Sequence, residues 1–281
     1  MYRGRFAPSP TGPLHQGSLV AALASFLDAQ AHRGLWVVRI DDIDPPRAVD
    51  GSVEAILEAL HAHGLDSAQA TDFQSTHAPR FDEAIDQLAA KGLIFSCTCT
   101  RRTLSPTGCC VRECASRPFT AQSSVSLRIK VTDPSNLTFE DRVLGRQSLA
   151  LHENTSNFII RRRDGLYAYQ LAAAVDDGNG EISHVVRGAD LALSTFRQIF
   201  IQRCLGLSTP HYAHVPVVTD AEGQKLSKQT GAQPLDLDHA PDNLRKALRT
   251  LEQSEPPAAL DQVSDIIEWA TQHWRLECAP K

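Results

Sequence analysis

The sequence predicts an α/β fold built on a parallel sheet, and three observations carry that expectation. Short apolar runs bounded by turn residues alternate with longer stretches whose apolar residues recur at helical spacing. The first two runs, residues 2–6 and 35–40, are separated by one such stretch, which is the order of a βαβ unit. Between them the Pro/Gly-rich turn Pro8-Ser9-Pro10-Thr11-Gly12-Pro13 falls at the carboxyl end of the first strand, where open α/β sheets bind ligands. A chain of 281 residues can bury a core for one large domain with a small insert.

Each element follows from local pattern. Residues 2–6 form a short strand. Leu19, Val20, Leu23, Phe26 and Leu27 then share a helical face, and Gly34 is expected just past the helix as its C′ residue. The run at 35–40 opens on four apolar or aromatic residues, as a buried parallel strand does. Asp50 is placed as the N-cap of a helix carrying Val53, Ile56, Leu57 and Leu60 and closed by Gly64. A helix over 81–88 ends at Gly92. From 94 to about 160 the pattern changes to cysteines, turns and alternating runs such as 125–131, and an insertion is expected there. The α/β pattern resumes with 167–175, a strand at 183–187, a helix over 191–205 and a strand at 214–218. Helices near 242–251 and 260–274 complete the chain. The expected division is therefore a first half of the main domain at 1–93, an insertion at 94–160, a second half at 161–235 and a short helical segment at 236–281.

Bulk properties narrow the function. No run approaches eighteen consecutive apolar residues, and the chain starts on a polar, Arg-containing strand, so a cytoplasmic protein is expected. The net charge of −5 gives no general attraction to nucleic acid. Any RNA contact would rest on local clusters, Arg101-Arg102 or Arg161-Arg162-Arg163, and the plainer reading of the second is a solvated strand end.

Two segments carry chemistry together. His15-Gln16-Gly17-Ser18 follows the Pro/Gly turn at the start of a helix, where free backbone N–H groups and the helix dipole attract phosphate. Lys225-Leu226-Ser227-Lys228 places two lysines on a loop, suited to a triphosphate and to charge developing at phosphorus. Taken alone, each has a bland alternative as a polar helix start or a solvated loop. In this order and separation they describe an ATP site.

Five of the seven cysteines lie between positions 97 and 114. Cys97 and Cys99, then ten residues, then Cys110 and Cys114 give C-x-C and C-x3-C pairs able to surround one tetrahedral Zn²⁺. Cys109 competes with Cys110 for the third position, and spacing does not choose between them. The alternative is a group of free thiols. Four protein ligands leave no open position, so the expected role is structural. Cys204 and Cys278 read as packing or surface residues.

The two ATP segments resemble the HIGH and KMSKS signatures of class I aminoacyl-tRNA synthetases. Arg5-Phe6-Ala7-Pro8-Ser9-Pro10-Thr11-Gly12, Arg39-Ile40-Asp41-Asp42-Ile43-Asp44-Pro45 and Val186-Arg187-Gly188-Ala189-Asp190 resemble the glutamyl branch of that class, over about residues 3 to 235. Only 53 residues follow Lys228, where a full-length glutamyl enzyme carries a helical anticodon-binding region. This shortened form is similar to the glutamyl-Q family. The resemblance implies a Rossmann-type catalytic domain with a zinc-containing insertion, ATP with Mg²⁺ as substrate, and transfer of L-glutamate to queuosine in the anticodon of tRNA(Asp).

It also implies roles. His15 and Lys228 would be catalytic, and His15, Gly17, Ser18, Lys225 and Lys228 would hold ATP. Arg5, Tyr169 and Arg187 would meet the glutamate carboxylate and Ser9 would assist, with Phe6, Ala7 and Pro8 beside them. Asp41 would meet the ammonium; the glutamyl branch usually has glutamate there, whereas the related glutaminyl enzymes carry aspartate. The family's zinc ligands resemble Cys, Cys, Tyr, Cys, which places Cys97, Cys99, Cys110 and Cys114 in this sequence. Asp42 and Asp44 read as turn residues or, less simply, as a metal site with Asp41. Asp176 and Asp177 read as structural. The rival expectations are a short synthetase charging tRNA(Glu) and a non-catalytic paralogue that binds RNA or glutamate.

Overall fold

In the computed structural model, Arg3–Phe6 (β1) and Leu35–Ile40 (β2) are parallel neighbours joined by the helix Gln16–Ala31 (α1), so the expected βαβ unit forms. The structure describes the chain except for residues 105–109, 111–112, 117–124, 132–135, 151–156, 220–225 and 227–232. All five residues expected on the inner face of α1 are buried, and so are Ala22, Ala24 and Ala29 on its other sides. The reason is that α1 is covered twice, by the sheet and by the helices Ala240–Thr250 (α6) and Val263–His273 (α7). A fully buried leucine contributes about 1.5–3 kcal/mol, and α1 has three of them, Leu19, Leu23 and Leu27.

The turn after α1 differs from expectation. Arg33, not Gly34, has the left-handed conformation, with φ of 51°. Gly34 is needed for a different reason: a Cβ there would lie 2.6 Å from the carbonyl oxygen of Tyr2. The following helix, Ser52–Ala62 (α2), is capped by Gly51 at φ 74° rather than by Asp50. Gly64 and Gly92 close their helices at positive φ as expected, the second after Ala78–Ala90 (α3).

The main sheet has seven strands in the order β3-β2-β1-β9-β10-β6-β7. Here β3 is Asp72–Phe73, β9 is His184–Gly188 and β10 is His211–Val215. All their pairings are parallel: β3 with β2, β9 with β1, and β10 with β9. At the far edge Asn136–Asp141 (β6) and Gly145–Ala150 (β7) form a hairpin, and β6 lies parallel to β10 through Tyr212 and Asp141. Ile94–Cys97 (β4), Ser126–Ile129 (β5) and Phe158–Arg161 (β8) make a separate antiparallel sheet. Thus the stretch from 94 to 160 supplies a small sheet of its own and also the edge of the main one.

Strand alternation sends the two faces of the main sheet to different partners. Phe6, Trp36, Val38, Ile40, Val186, Ala213 and Val215 share a core with α1, α6 and α7. Val37, Val185 and Tyr212 pack instead with Ile199 of the helix Ala192–Leu205 (α5), on the face shared with Tyr169–Gly178 (α4). Asp28, fully buried in α1, ties distant segments together. Its carboxylate accepts from Tyr2, from Arg142 at 2.5 Å and from the Trp274 indole at 3.2 Å.

Candidate active site

β1 ends at Phe6, and the chain turns through Pro8 to Pro13 before His15 caps α1. The His15 backbone is extended, and its Nδ1 accepts the Ser18 N–H at 3.3 Å. Gly17 lets the imidazole lie against the first turn, because a Cβ there would come within 3.2 Å of the ring. A cleft of about 410 Å³ opens at this point. Phe6, Ala7, Pro8 and Ser9 from the strand end line it, together with His15, Gly17 and Ser18 from the helix start. Gly188 and Asp190 after β9, and Val217 and Val218 after β10, line it too. The cleft therefore sits at the carboxyl ends of three parallel strands, at a helix N-terminus free of acidic side chains in its first turn. Lys225 and Lys228 lie outside the described residues; Leu226, between them, lines the cleft and donates its N–H to the Val218 carbonyl at 2.8 Å.

On the α4/α5 face of the same strands lies a buried layer of charge. Arg5, Arg39 and Arg187 come from β1, β2 and β9, and all three are at most 5 % exposed. The register pairs Arg5 with Val37 and Arg187 with His214, so alternation alone puts these side chains on one face. Asp177 of α4 accepts from Arg5 Nη2 at 2.8 Å and from Arg39 Nη1 at 3.0 Å. Burial pushes its carboxyl up, but the two guanidinium groups outweigh that and hold it well below the usual carboxylate range. Arg39 also donates its Nε–H to Asp41 at 2.7 Å.

Arg187 is held on several sides. Its Nε–H points to His214 Nε2 at 3.2 Å, Nη1 to the Tyr169 hydroxyl at 3.2 Å, and Nη2 to Thr195 at 2.7 Å and Gln198 at 2.8 Å. The guanidinium lies over the Tyr212 ring, 5.2 Å from its centre.

Of the residues expected to hold an amino acid, Tyr169 and Arg187 touch each other. Arg5 and Asp41 meet through Arg39 and Asp177. None of these four lines the 410 Å³ cleft, although Arg187 directly precedes Gly188, which does. Sequence reasoning missed Arg39, Asp141, Thr195, Gln198 and His214. The pattern of β2 could have flagged Arg39, since a strand charge between apolar neighbours needs a buried partner. The acids at 41, 42 and 44 do not form a metal site. Asp41 is held by Arg39, Asp42 accepts from the backbone and hydroxyl of Ser75 at 2.7 Å each, and Asp44 pairs with Arg47 and Arg162.

The sulfurs of Cys97, Cys99, Cys110 and Cys114 converge, all within 4.8 Å of one another and all buried, and could hold a metal ion. Cys99 lies 3.6 Å from Cys110 and 3.8 Å from Cys114. Cys109 is outside the described residues. Cys204 is half-buried and Cys278 exposed, away from this group. The Arg161–163 run is largely engaged: Arg161 with Asp82, Arg162 with Asp44 and Asp164, and Arg163 with the Thr98 carbonyl. Among the described residues no helix is long and apolar enough to cross a membrane.

Comparison with known proteins agrees with this geometry. Residues 1–252 match the family of class I tRNA synthetases (E and Q), catalytic domain. The chain is 44% identical to a glutamyl-Q tRNA(Asp) synthetase of Dechloromonas aromatica over all of its own length and 96% of the relative's. It is 40% identical to one of Neisseria gonorrhoeae, covering 98% of that protein. A crystal structure of a glutamate tRNA ligase from Elizabethkingia meningosepticum superposes with a TM-score of 0.80 at 23% identity, covering 100% of this chain and 66% of that one. That likeness concerns the fold. The strand-end cleft at a capped helix and the matched residues define a class I synthetase catalytic domain. Within that class, the chain belongs to the glutamyl-Q tRNA(Asp) synthetase family.

Proposed function

We propose that this protein activates L-glutamate with ATP and passes the glutamyl group to a hydroxyl of queuosine in tRNA(Asp). The observation that carries the first half is the Tyr169–Arg187 pair. A buried guanidinium whose orientation is fixed by three further side chains suits an anionic amino-acid side chain and penalises a neutral one. Arg5, anchored by Asp177, adds a second cation for the carboxylate, and Asp41, anchored by Arg39, offers an acid to the ammonium. The second half is supported by the names of relatives that match the whole chain.

In the first step an oxygen of the glutamate α-carboxylate attacks the α-phosphorus of Mg·ATP. The bond to the bridging oxygen breaks, and pyrophosphate leaves with its electron pair. No protein group has to take a proton, so rate rests on positioning and on charge stabilisation. The N-terminus of α1 and His15 receive the phosphates, and Lys228, with Lys225, neutralises the charge that develops. In the second step the tRNA hydroxyl attacks the acyl carbon, the bond from that carbon to the phosphate oxygen breaks, and AMP departs with the electron pair while its phosphate takes up the hydroxyl proton.

The cysteine cluster is read as a structural Zn²⁺ site. Zn–S bonds of about 2.3 Å in a tetrahedron require sulfurs about 3.8 Å apart, close to the 3.6 and 3.8 Å separations from Cys99. The ion would stabilise the small sheet and take no part in acyl transfer.

The test is incubation of labelled glutamate and ATP with tRNA(Asp) carrying queuosine, the same tRNA without it, and tRNA(Glu). Label on the first alone is expected. Label at the 3′ end of tRNA(Glu) and none on the queuosine form would replace this reading with a short synthetase for tRNA(Glu). Absence of glutamate-dependent ATP/pyrophosphate exchange would point to a non-catalytic binder.

A further inference from the structure

His214 sits on β10 directly beside Arg187 of β9, fully buried. Its Nδ1 lies 2.5 Å from an Asp141 carboxylate oxygen. That carboxylate comes from the end of β6 and is itself fixed, accepting the backbone N–H of Val143 at 3.0 Å, of Leu144 at 2.9 Å and of His214 at 3.2 Å. An ionised carboxylate has no hydrogen to give, so the proton between the two must be on Nδ1. The other ring nitrogen, Nε2, then keeps its lone pair and faces the Nε–H of Arg187 at 3.2 Å. Arginine is a donor at every position, so it can face Nε2 favourably only while His214 is neutral.

We propose that Asp141 and His214 are positioning residues for Arg187: they hold the guanidinium through a neutral imidazole locked as the Nδ1–H tautomer, so that glutamate affinity falls when His214 takes up a proton. This rests on the assignment of Arg187 to the glutamate carboxylate. Neither residue belongs to the sequence motifs, and Asp141 lies in the stretch otherwise read as the insertion.

The physical case is one of donor count. Four of the five guanidinium N–H groups have partners among the described residues, with one Nη1 hydrogen left for an anion beside Tyr169. Loss of the Nε contact would remove one of four anchors and leave the group held from its Nη side alone, by Tyr169, Thr195 and Gln198, so that its tilt toward the anion is less firmly fixed. A second proton on His214 would do this, because two donors and two positive charges would then face each other. Thr195, 3.0 Å from Nε2, could turn its hydroxyl to the Leu191 carbonyl and accept from the protonated ring, but Arg187 has no such alternative. The charged and titratable groups facing His214 are Asp141 of β6, Arg187 of β9, Tyr212 on its own strand and Asp190 ahead of α5. Burial and then Arg187 favour the neutral ring, against Asp141, and the net effect is a pKa below the ordinary histidine value.

The test measures the KM for glutamate and kcat in ATP/pyrophosphate exchange across about pH 5–8, a range that reaches below the ordinary histidine value while free glutamate stays largely in one charge state. For the unaltered protein KM should rise on the acid side with kcat nearly constant. His214→Gln cannot take up a proton there and keeps an oxygen able to accept from Arg187, so its KM should be independent of pH. His214→Leu offers no acceptor, and its KM should be raised about tenfold at all pH values, the size expected for one lost hydrogen bond to a charged group. Asp141→Asn removes the charge that favours protonation, so its acid limb should move to lower pH. Nitrogen NMR of labelled histidine should find the His214 ring, identified by its loss in His214→Gln, as the Nδ1–H tautomer at pH 7.5. A KM profile in His214→Gln that still follows the unaltered protein, or an Nε2–H tautomer, would overturn the inference while exchange activity left the assigned reaction standing. No glutamate-dependent exchange in the unaltered protein would instead remove the reaction itself.

Discussion

Asp177 and Lys228 illustrate two ways in which a single side chain can matter here. Asp177 neutralises two buried guanidinium groups from different strands. Replacing it with alanine leaves both without their shared partner, and breaking such a buried pair costs about 3–5 kcal/mol. Chemical denaturation of Asp177→Ala should show a loss of that size, and a loss under about 1 kcal/mol would mean that water or Asp41 takes over the role. Lys228 is expected to behave in the opposite way. As a loop cation acting on transition-state charge, its replacement by alanine should lower glutamate-dependent exchange by about 10²–10³-fold. The melting temperature should stay unchanged, since the sequence leads one to expect a lysine that acts on charge and not in a core. Unaltered exchange in Lys228→Ala would take the second signature out of the mechanism. Glutamine is expected to be a poor substrate for the same reason that Asp177 is needed: a neutral amide leaves arginine charge unpaired. Comparable exchange rates with glutamine and glutamate would exclude the Arg5–Arg187 pocket.

At the scale of elements, the small sheet β4-β5-β8 depends on what its cysteines hold. Cys97 ends β4, Cys114 lies in the 3₁₀ turn Glu113–Ser116, and the cluster packs on Phe95. Among the described residues only Phe95, Leu104 and Ala115 join the cysteines in this apolar cluster, so the metal is expected to supply much of its stability. Protein purified without added metal should contain about one zinc per chain by elemental analysis. Cys110→Ser should lose it, and Cys109→Ser should retain it. The reverse pattern would exchange the two neighbours. The hairpin β6–β7 has a different dependence, because Asp141 and Arg142 at its turn bond to β10 and α1 and not to the cysteine cluster. Zinc removal should therefore loosen β4, β5 and β8, read by hydrogen exchange, before it affects β6 and β7.

Across the whole molecule, pH acts through groups whose native surroundings differ from water. Burial, followed by the nearby Arg142 charge, pulls His184 down to about 4. His63 and His214 are lowered too, in both cases first by burial. A histidine lowered in the folded state binds fewer protons than in the unfolded chain, so its contribution is present above the unfolded value and is lost as pH falls. Between about pH 6.5 and 4 stability should decline, with His184 alone costing on the order of 1 kcal/mol at pH 5 after allowance for its partial exposure. Below about pH 4 a second decline is expected from Asp28, Asp141 and Asp177, which are held low by their partners and must be protonated to unfold. Denaturation midpoints that stay level from pH 7 to 5 would show that these histidines titrate freely in the native protein.

The parts of this protein that could be read from the chain alone depend on short-range physics. The βαβ start, the helix beginning at His15 and the paired cysteines arise from side-chain period, turn chemistry and ligand spacing, all within windows of a few residues to about twenty. The same reading placed Arg5, Asp41, Tyr169 and Arg187 in one pocket by resemblance, yet it did not find what holds them. Arg5 meets Asp177 across 172 positions, Arg39 meets Asp177 across 138, and Asp141 meets His214 across 73. No local pattern encodes such partners. They follow from tertiary arrangement: placing β9 beside β1, and β6 beside β10, brings residues of matching parity onto one buried face, and α4 packed on that face supplies Asp177. There, removal from water compels each charge to find a partner: an opposite charge for Arg5 and Arg39, and a set of neutral hydrogen-bonding groups for Arg187. The helix caps show the same division on a smaller scale. Gly34 was legible as a special position, but only the packing of α1 against β1 decided that the need was closeness to Tyr2 and that Arg33 would take the left-handed turn.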